Sequence, residues 1–156
     1  MMGALLRETG RLQEALARHE TARRLSPGDD YVFRNERCLA SIGEGDVWAA
    51  TDAAKAKKFY FQAIDDFPSL DNPYLSLWNL LVEKQKASND ALVEEFRRAR
   101  DKHADSAVAS QFLGNALKQA GKMDEAIACY HKATELDPNS VAAKQALSEA
   151  LGGKSG

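Results

Sequence analysis

Apolar residues return along most of the chain at intervals of three and four, the spacing that puts them on one face of a helix. The pattern repeats. The segment Ala107–Ser140 spans 34 residues and carries Ser110, Leu113, Gly114 and Leu117. It then carries Ala126-x-x-x-Tyr130-x-x-Ala133 and ends at Pro138. Upstream, Gly3 and Leu6 precede Ala15-x-x-x-His19-x-x-Ala22 and Pro27, and the step from Gly3 to Pro27 equals that from Gly114 to Pro138. A second copy holds Phe33, Ala40, Ala56-x-x-x-Tyr60-x-x-Ala63 and Pro68. A third holds Tyr74, Leu77, Leu81, Leu92-x-x-x-Phe96-x-x-Ala99, with Ala104 in the proline position. Each copy reads as two amphipathic helices joined by a turn. Small residues allow close approach, aromatic ones fill the space between, and proline ends the second helix because it cannot continue the hydrogen-bond ladder. One helix pair cannot bury its apolar face alone, so successive pairs must stack.

These residues resemble the tetratricopeptide repeat, whose pattern is W-x2-L-G-x2-Y, then A-x3-F, then P. The departures are Ser110 in the aromatic position, and Arg37 and Trp78 where glycine is preferred. The resemblance implies an all-α fold, a right-handed α-α superhelix. About four helix-turn-helix repeats are expected at 1–29, 30–70, 71–106 and 107–140. A capping helix over 141–151 would complete one domain, with 152–156 as a flexible tail. Asn139-Ser140 can cap that last helix, Leu147 and Leu151 would face the repeat before it, and Gly152-Gly153 would stop it.

The second copy is seven residues longer than the last, about two helical turns. The favoured reading is one long second helix from Asp46 to Phe67, with Trp48 projecting beyond the array. The rival is a loop through Gly43–Thr51 with Thr51 or Asp52 as cap. Gly43-Glu44-Gly45-Asp46 is a turn signal. Two extra residues in the third copy fall near Lys86–Asp90. The chain enters its first repeat partway through a helix, so it either frays there or continues a longer array.

Composition narrows the function. The chain has 156 residues, 44% hydrophobic and 28% charged, with a net charge of -2, which disfavours nucleic acid as the partner. No apolar run is long enough for a membrane helix. Cys38 and Cys129 have no neighbouring ligand motif and read as reduced thiols, and a cytoplasmic location is the expectation. His19 fills an aromatic position, while His103 and His131 read as surface residues. No phosphate-loop, nucleophile-elbow or zinc-protease motif occurs, so neither enzyme activity, cofactor nor metal is expected. The basic clusters at Arg23-Arg24, Lys55-Lys57-Lys58 and Arg97-Arg98 with Arg100 and Lys102 fall on second helices, the outer wall in this family.

What the resemblance implies is binding of a peptide or protein partner in a concave groove lined by first helices. The positions expected there are Tyr31, Arg34, Cys38, Leu75, Asn79, Gln111, Asn115 and Lys118, with Ser41 beside them. Asn79 and Asn115 hold the same phase, and an amide offers donors and an acceptor to a peptide backbone. Replacing both asparagines by alanine is expected to weaken binding without lowering the melting temperature. Co-chaperone members grip a C-terminal carboxylate with cations at fixed positions. Here those positions hold Cys38, Ser76 and Phe112, or Ala4, Asn72 and Ser76, so that specificity is not expected. The alternatives are the targeting arm of a larger enzyme, such as a glycosyltransferase, and self-assembly through Leu5 and Leu6 of the first repeat.

Overall fold

The computed structural model describes residues 31–154, together with Gly10, Arg11, Gln13, Glu14 and Ala17. The expectations placed on the first repeat, including Leu5, Leu6, His19 and Arg23-Arg24, lie outside those residues. Seven α-helices follow in order among the described residues, with no strand: α1 Tyr31–Trp48, α2 Ala53–Asp66, α3 Asp71–Asn79, α4 Asn89–Lys102, α5 Ala107–Gln119, α6 Met123–Leu136 and α7 Val141–Lys154. A π-helical turn, Leu80–Lys84, continues α3 directly. None of these helices is long and apolar enough to cross a membrane.

The helices pack as two compact units that divide between Gln85 and Lys86. In the first, α2 packs on both α1 and α3, and α1 also touches α3. In the second, α4, α5, α6 and α7 pack in sequence, and α5 also meets α7. The third repeat is therefore shared: its first helix belongs to one unit and its second to the other.

The second helices follow the repeated frame. Ala56, Tyr60 and Ala63 on α2, Leu92, Phe96 and Ala99 on α4, and Ala126, Tyr130 and Ala133 on α6 are all buried. Polar side chains start the helices where the sequence supplies them. Asp52 accepts from the Lys55 N–H, Ser88 Oγ from Ala91, Ser106 Oγ from Ala109 and Ser140 Oγ from Ala143. Each bond satisfies one of the otherwise unpaired amides of a first turn. Pro68 and Pro138 follow the cap residues Phe67 and Asp137, as expected.

The long helix from Asp46 to Phe67 does not form. The chain turns at Ala49–Asp52, and the extra length of the second copy lies at the start of its first helix. Gly45 lies 14 residues after Tyr31, whereas Gly114 lies seven after Ala107. The difference of seven keeps the buried face of α1 in register. Gly43–Asp46 is helical, and Trp48 ends α1 half-buried with the Lys55 ammonium 3.8 Å from its ring centroid.

The extra residues of the third copy are divided between the π turn and the turn that follows. The Gln85 amide reaches back to the Leu80 carbonyl at 2.9 Å, an i→i−5 bond that takes one residue more than an α turn. Two residues past the end of this segment stands Lys86, with φ 49°, where Gly121 with φ 79° stands after α5. A side chain in that left-handed region is disfavoured and glycine is not. Lys86→Gly is expected to raise stability by about 1 kcal/mol, read as a higher urea midpoint at unchanged slope. A lower midpoint would show that the lysine is held there by something stronger than backbone preference.

At the C-terminus, α7 continues through Gly152 and Gly153 to Lys154 rather than stopping at Leu151. Glycine permits the left-handed stop but does not impose it. Ala143 and Ala150 are the buried contacts of this helix, Leu147 is half-buried, and Leu151 is exposed instead of facing the repeat.

Candidate functional site

The two units repeat one local device. Gly45 lies against the Tyr60 ring, and a Cβ on it would stand 2.4 Å from the ring edge; Gly114 lies against Tyr130 with 2.6 Å. Glycine is therefore the residue that lets each first helix approach its partner. The next residue completes the device. Tyr60 donates its hydroxyl to Asp46 Oδ1 at 2.6 Å, and Tyr130 donates to Asn115 Oδ1 at 2.8 Å. Burial raises both phenols, Tyr130 to about 12, so both hydroxyls keep their protons at neutral pH.

This register corrects the reading of the second copy. Its glycine position is Gly45, not Arg37, and the residue in phase with Asn115 is Asp46. Arg37 instead pairs with Asp66 at 3.1 Å. The signal was present as Gly45-Asp46 followed by Tyr60, parallel to Gly114-Asn115 followed by Tyr130. A connection one residue shorter hid it.

The residues expected on the early part of α1 gather around Phe67. Tyr31 meets that ring edge-on at 5.1 Å between centroids, and the Arg34 guanidinium lies 5.7 Å from it. Both side chains are exposed. Cys38 is not available to a partner. It is fully buried with Ala63 and Phe67, and Ile42 and Leu70 pack alongside. Burial, with the Asp66 charge, pushes its thiol up to about 12. Its neighbour Ser41 is buried too. The reason is register: with Gly45 as the close-contact residue, Cys38 falls on the face turned toward α2.

A different face of α1 turns outward, and Leu39 and Asp46, seven residues apart, share it. Leu39 is 47% exposed and Asp46 is exposed. On α3, Leu75 is 46% exposed, and Asn79, four residues on, is exposed as expected. Where α1 and α3 end, an open cleft of about 620 Å³ lies between them. Asp46, Tyr60, Ser76, Asn79, Glu83 and Lys84 line it. Glu83 and Lys84 come from the π turn, a feature that no sequence periodicity announces.

In the second unit, Gln111, Asn115 and Lys118 form one stripe of α5. Gln111 and Asn115 are half-buried, and Lys118 is exposed, with its ammonium 3.9 Å from Glu149 on α7. Asn115 has a structural task, since its carbonyl receives the Tyr130 hydroxyl. Its amide NH2 is the part left to meet a ligand. The expectation that Asn115→Ala leaves the melting temperature unchanged is therefore withdrawn: losing this acceptor costs roughly 1 kcal/mol.

Comparison with known proteins agrees with this architecture. Residues 108–140 match the family described as Tetratricopeptide repeat. No curated protein sequence matches the chain at a significant level. Among solved structures, the chain is similar to the first TPR of Spaghetti (RPAP3) bound to the HSP90 peptide SRMEEVD. The TM-score is 0.54 at 17% identity, covering 78% of this chain and 96% of that one. It is similar also to the crystal structure of MamA, with TM-score 0.53 and 19% identity over 96% of this chain and 82% of that one. A further MamA structure, AMB-1, gives 0.53 at 19% identity, with 96% and 84% covered. At these identities the likeness is one of fold. Residues 108–140 thus carry one tetratricopeptide repeat by sequence, and the fold of tetratricopeptide-repeat structures extends across most of the chain.

Proposed function

We propose that the chain is a non-catalytic protein-interaction module that takes an extended segment of a partner along the exposed faces of its first helices. The observation that carries this reading lies in the first unit. Leu39 and Leu75 stand exposed on α1 and α3, and a cleft whose lining mixes apolar surface with Asp46, Asn79, Glu83 and Lys84 opens farther along the same two helices. Apolar side chains left in water beside such a recess are the mixture that partner sites present, apolar contact for affinity and placed polar groups for orientation. The peptide in the RPAP3 structure supports a short peptide segment as the kind of ligand.

The test is selection of binders from a random nonapeptide library, followed by fluorescence anisotropy on the selected peptides. Leu39→Ala with Leu75→Ala is expected to weaken binding by about tenfold or more, taking each exposed leucine contact as worth about 1 kcal/mol. Asn79→Ala alone is expected to weaken it a few-fold, as one modest hydrogen bond does. The melting temperature should hold, because all three side chains are exposed. A library that yields no binder, or peptides indifferent to these variants, would sink the reading.

A further inference from the structure

We infer that the cleft at the end of α1 and α3 selects a lysine or arginine side chain of the bound segment, a preference that rests on the peptide-binding reading above. Its lining is rich in acceptors. Asp46 and Glu83 bring carboxylates, Ser76 and Tyr60 hydroxyl oxygens, and Asn79 an amide carbonyl. Tyr60 points its proton at Asp46, so its own oxygen is left as an acceptor. The Asp46 carboxylate has about four lone-pair sites and gives one to Tyr60. Lys84 is the one cation of the lining, against two carboxylates. Among the described residues neither Asp46 nor Glu83 has a cation within ion-pair distance.

Such a lining suits a group that donates several hydrogen bonds and carries positive charge. An ammonium has three donors and a guanidinium five, in a fork matched to carboxylates. A carboxylate entering the same recess would meet two like charges. The acidic residues of SRMEEVD are thus the opposite of what this cleft accepts.

The two units differ at one atom of their shared device. Where the second unit keeps the Asn115 amide, with an NH2 to offer, the first keeps the Asp46 carboxylate, which only accepts. The π turn contributes independently: it brings Glu83 and Lys84 into the lining, and π turns recur at functional sites.

The helix also spaces the segment. Leu39 and Asp46 are seven residues apart on α1, about 10 Å of rise at 1.5 Å per residue. A segment in the polyproline II conformation covers that in about three residues at roughly 3.1 Å each and, with three residues per turn, brings the first and fourth side chains to one face. The recognised pattern is an apolar side chain with a basic one about three positions away.

The experiment measures anisotropy for labelled ten-residue peptides that carry leucine and, three residues on, arginine, lysine, citrulline or glutamate. Citrulline keeps the shape of arginine without its charge. Arginine and lysine peptides are expected to bind the wild-type chain about tenfold tighter than the citrulline peptide, and the glutamate peptide weakest of all. Asp46→Asn and Glu83→Gln together should erase that preference, the arginine and lysine peptides falling to the affinity of the citrulline peptide. Asparagine still accepts from Tyr60, as Asn115 does from Tyr130, and Glu83 is exposed, so the variant keeps its fold. Equal affinity for arginine and citrulline peptides overturns the inference and leaves the peptide-binding reading standing. The same holds if none of the four binds while library-selected peptides do. If the library yields nothing, both fall.

Discussion

Gly114→Ala is expected to destabilise the second unit by about 3 kcal/mol, the upper part of the usual range for overpacking a core. Helix propensity alone gives the opposite sign, since alanine in a helix interior is about 1 kcal/mol better than glycine. The added methyl decides the outcome. It would sit 2.6 Å from Tyr130 Cε1 and 2.8 Å from Cδ1. Tyr130 is buried and anchored at its far end by Asn115, so the ring cannot swing aside without losing that bond. Gly45→Ala meets Tyr60 at 2.4 Å and should behave alike in the first unit. Urea melts of Gly114→Ala, Tyr130→Leu and the double variant form a cycle. The expected result is a double variant less damaged than the two singles combined, because a smaller side chain opposite the alanine relieves the clash. Additive losses, or a Gly114→Ala protein as stable as wild type, would show that the ring is not the obstacle.

The second large effect has the opposite sign. Glu44 is buried, 4% exposed, and its Oε1 has no hydrogen-bond partner among the described residues. Aligning Gly45 with Gly114 places Glu44 where the last repeat has Leu113, a core residue. Glu44→Leu is expected to stabilise the protein by about 2 kcal/mol at neutral pH, the scale of an unpaired polar group removed from an interior. The gain should depend on pH. Burial raises the carboxyl of the folded protein above the ordinary 4.5. Below 4.5 the group is protonated in both states, so charge adds nothing to its cost. As pH climbs past 4.5 the unfolded chain loses its proton first, which favours unfolding. The penalty grows until the folded carboxyl also titrates and then levels off. The difference between Glu44→Leu and wild type should thus widen upward from 4.5. Glu44→Gln should flatten the same titration while gaining less, since its amide is still buried. Melting curves from pH 4 to 8 check this. A gap between leucine variant and wild type that narrows as pH rises would contradict the assignment.

The second helices were legible because their signal is local. Ala-x-x-x-Tyr-x-x-Ala fits within one helix, and every frame residue named on α2, α4 and α6 is buried. The first helix of the second copy was not. Gly43-Glu44-Gly45-Asp46 has the composition of a turn, and only the Tyr60 ring across the interface explains why glycine is needed inside a helix. That contact spans 15 residues of sequence, beyond the reach of any periodicity. Cys38 falls on the groove only in the same misplaced register; in the observed one it is buried and the next residue, Leu39, is exposed. Asn79 and Leu75, expected on the groove, are exposed on α3, which begins where its repeat does. The cleft was invisible for a further reason: two of its charged residues sit on a π turn, and a helix that takes one extra residue leaves no mark in a pattern read at 3.6.

The tyrosine brace has a bearing on how such a chain changes its preferences over time. The hydroxyl asks of the residue after the close-contact glycine only an oxygen that can accept, and both aspartate and asparagine supply one. The brace is therefore indifferent to a property that a ligand feels strongly. Exchanging the two side chains alters the charge at that position and leaves the helix pair assembled. Each braced repeat can change that charge by one conservative substitution, independently of the other, without passing through an unstable intermediate.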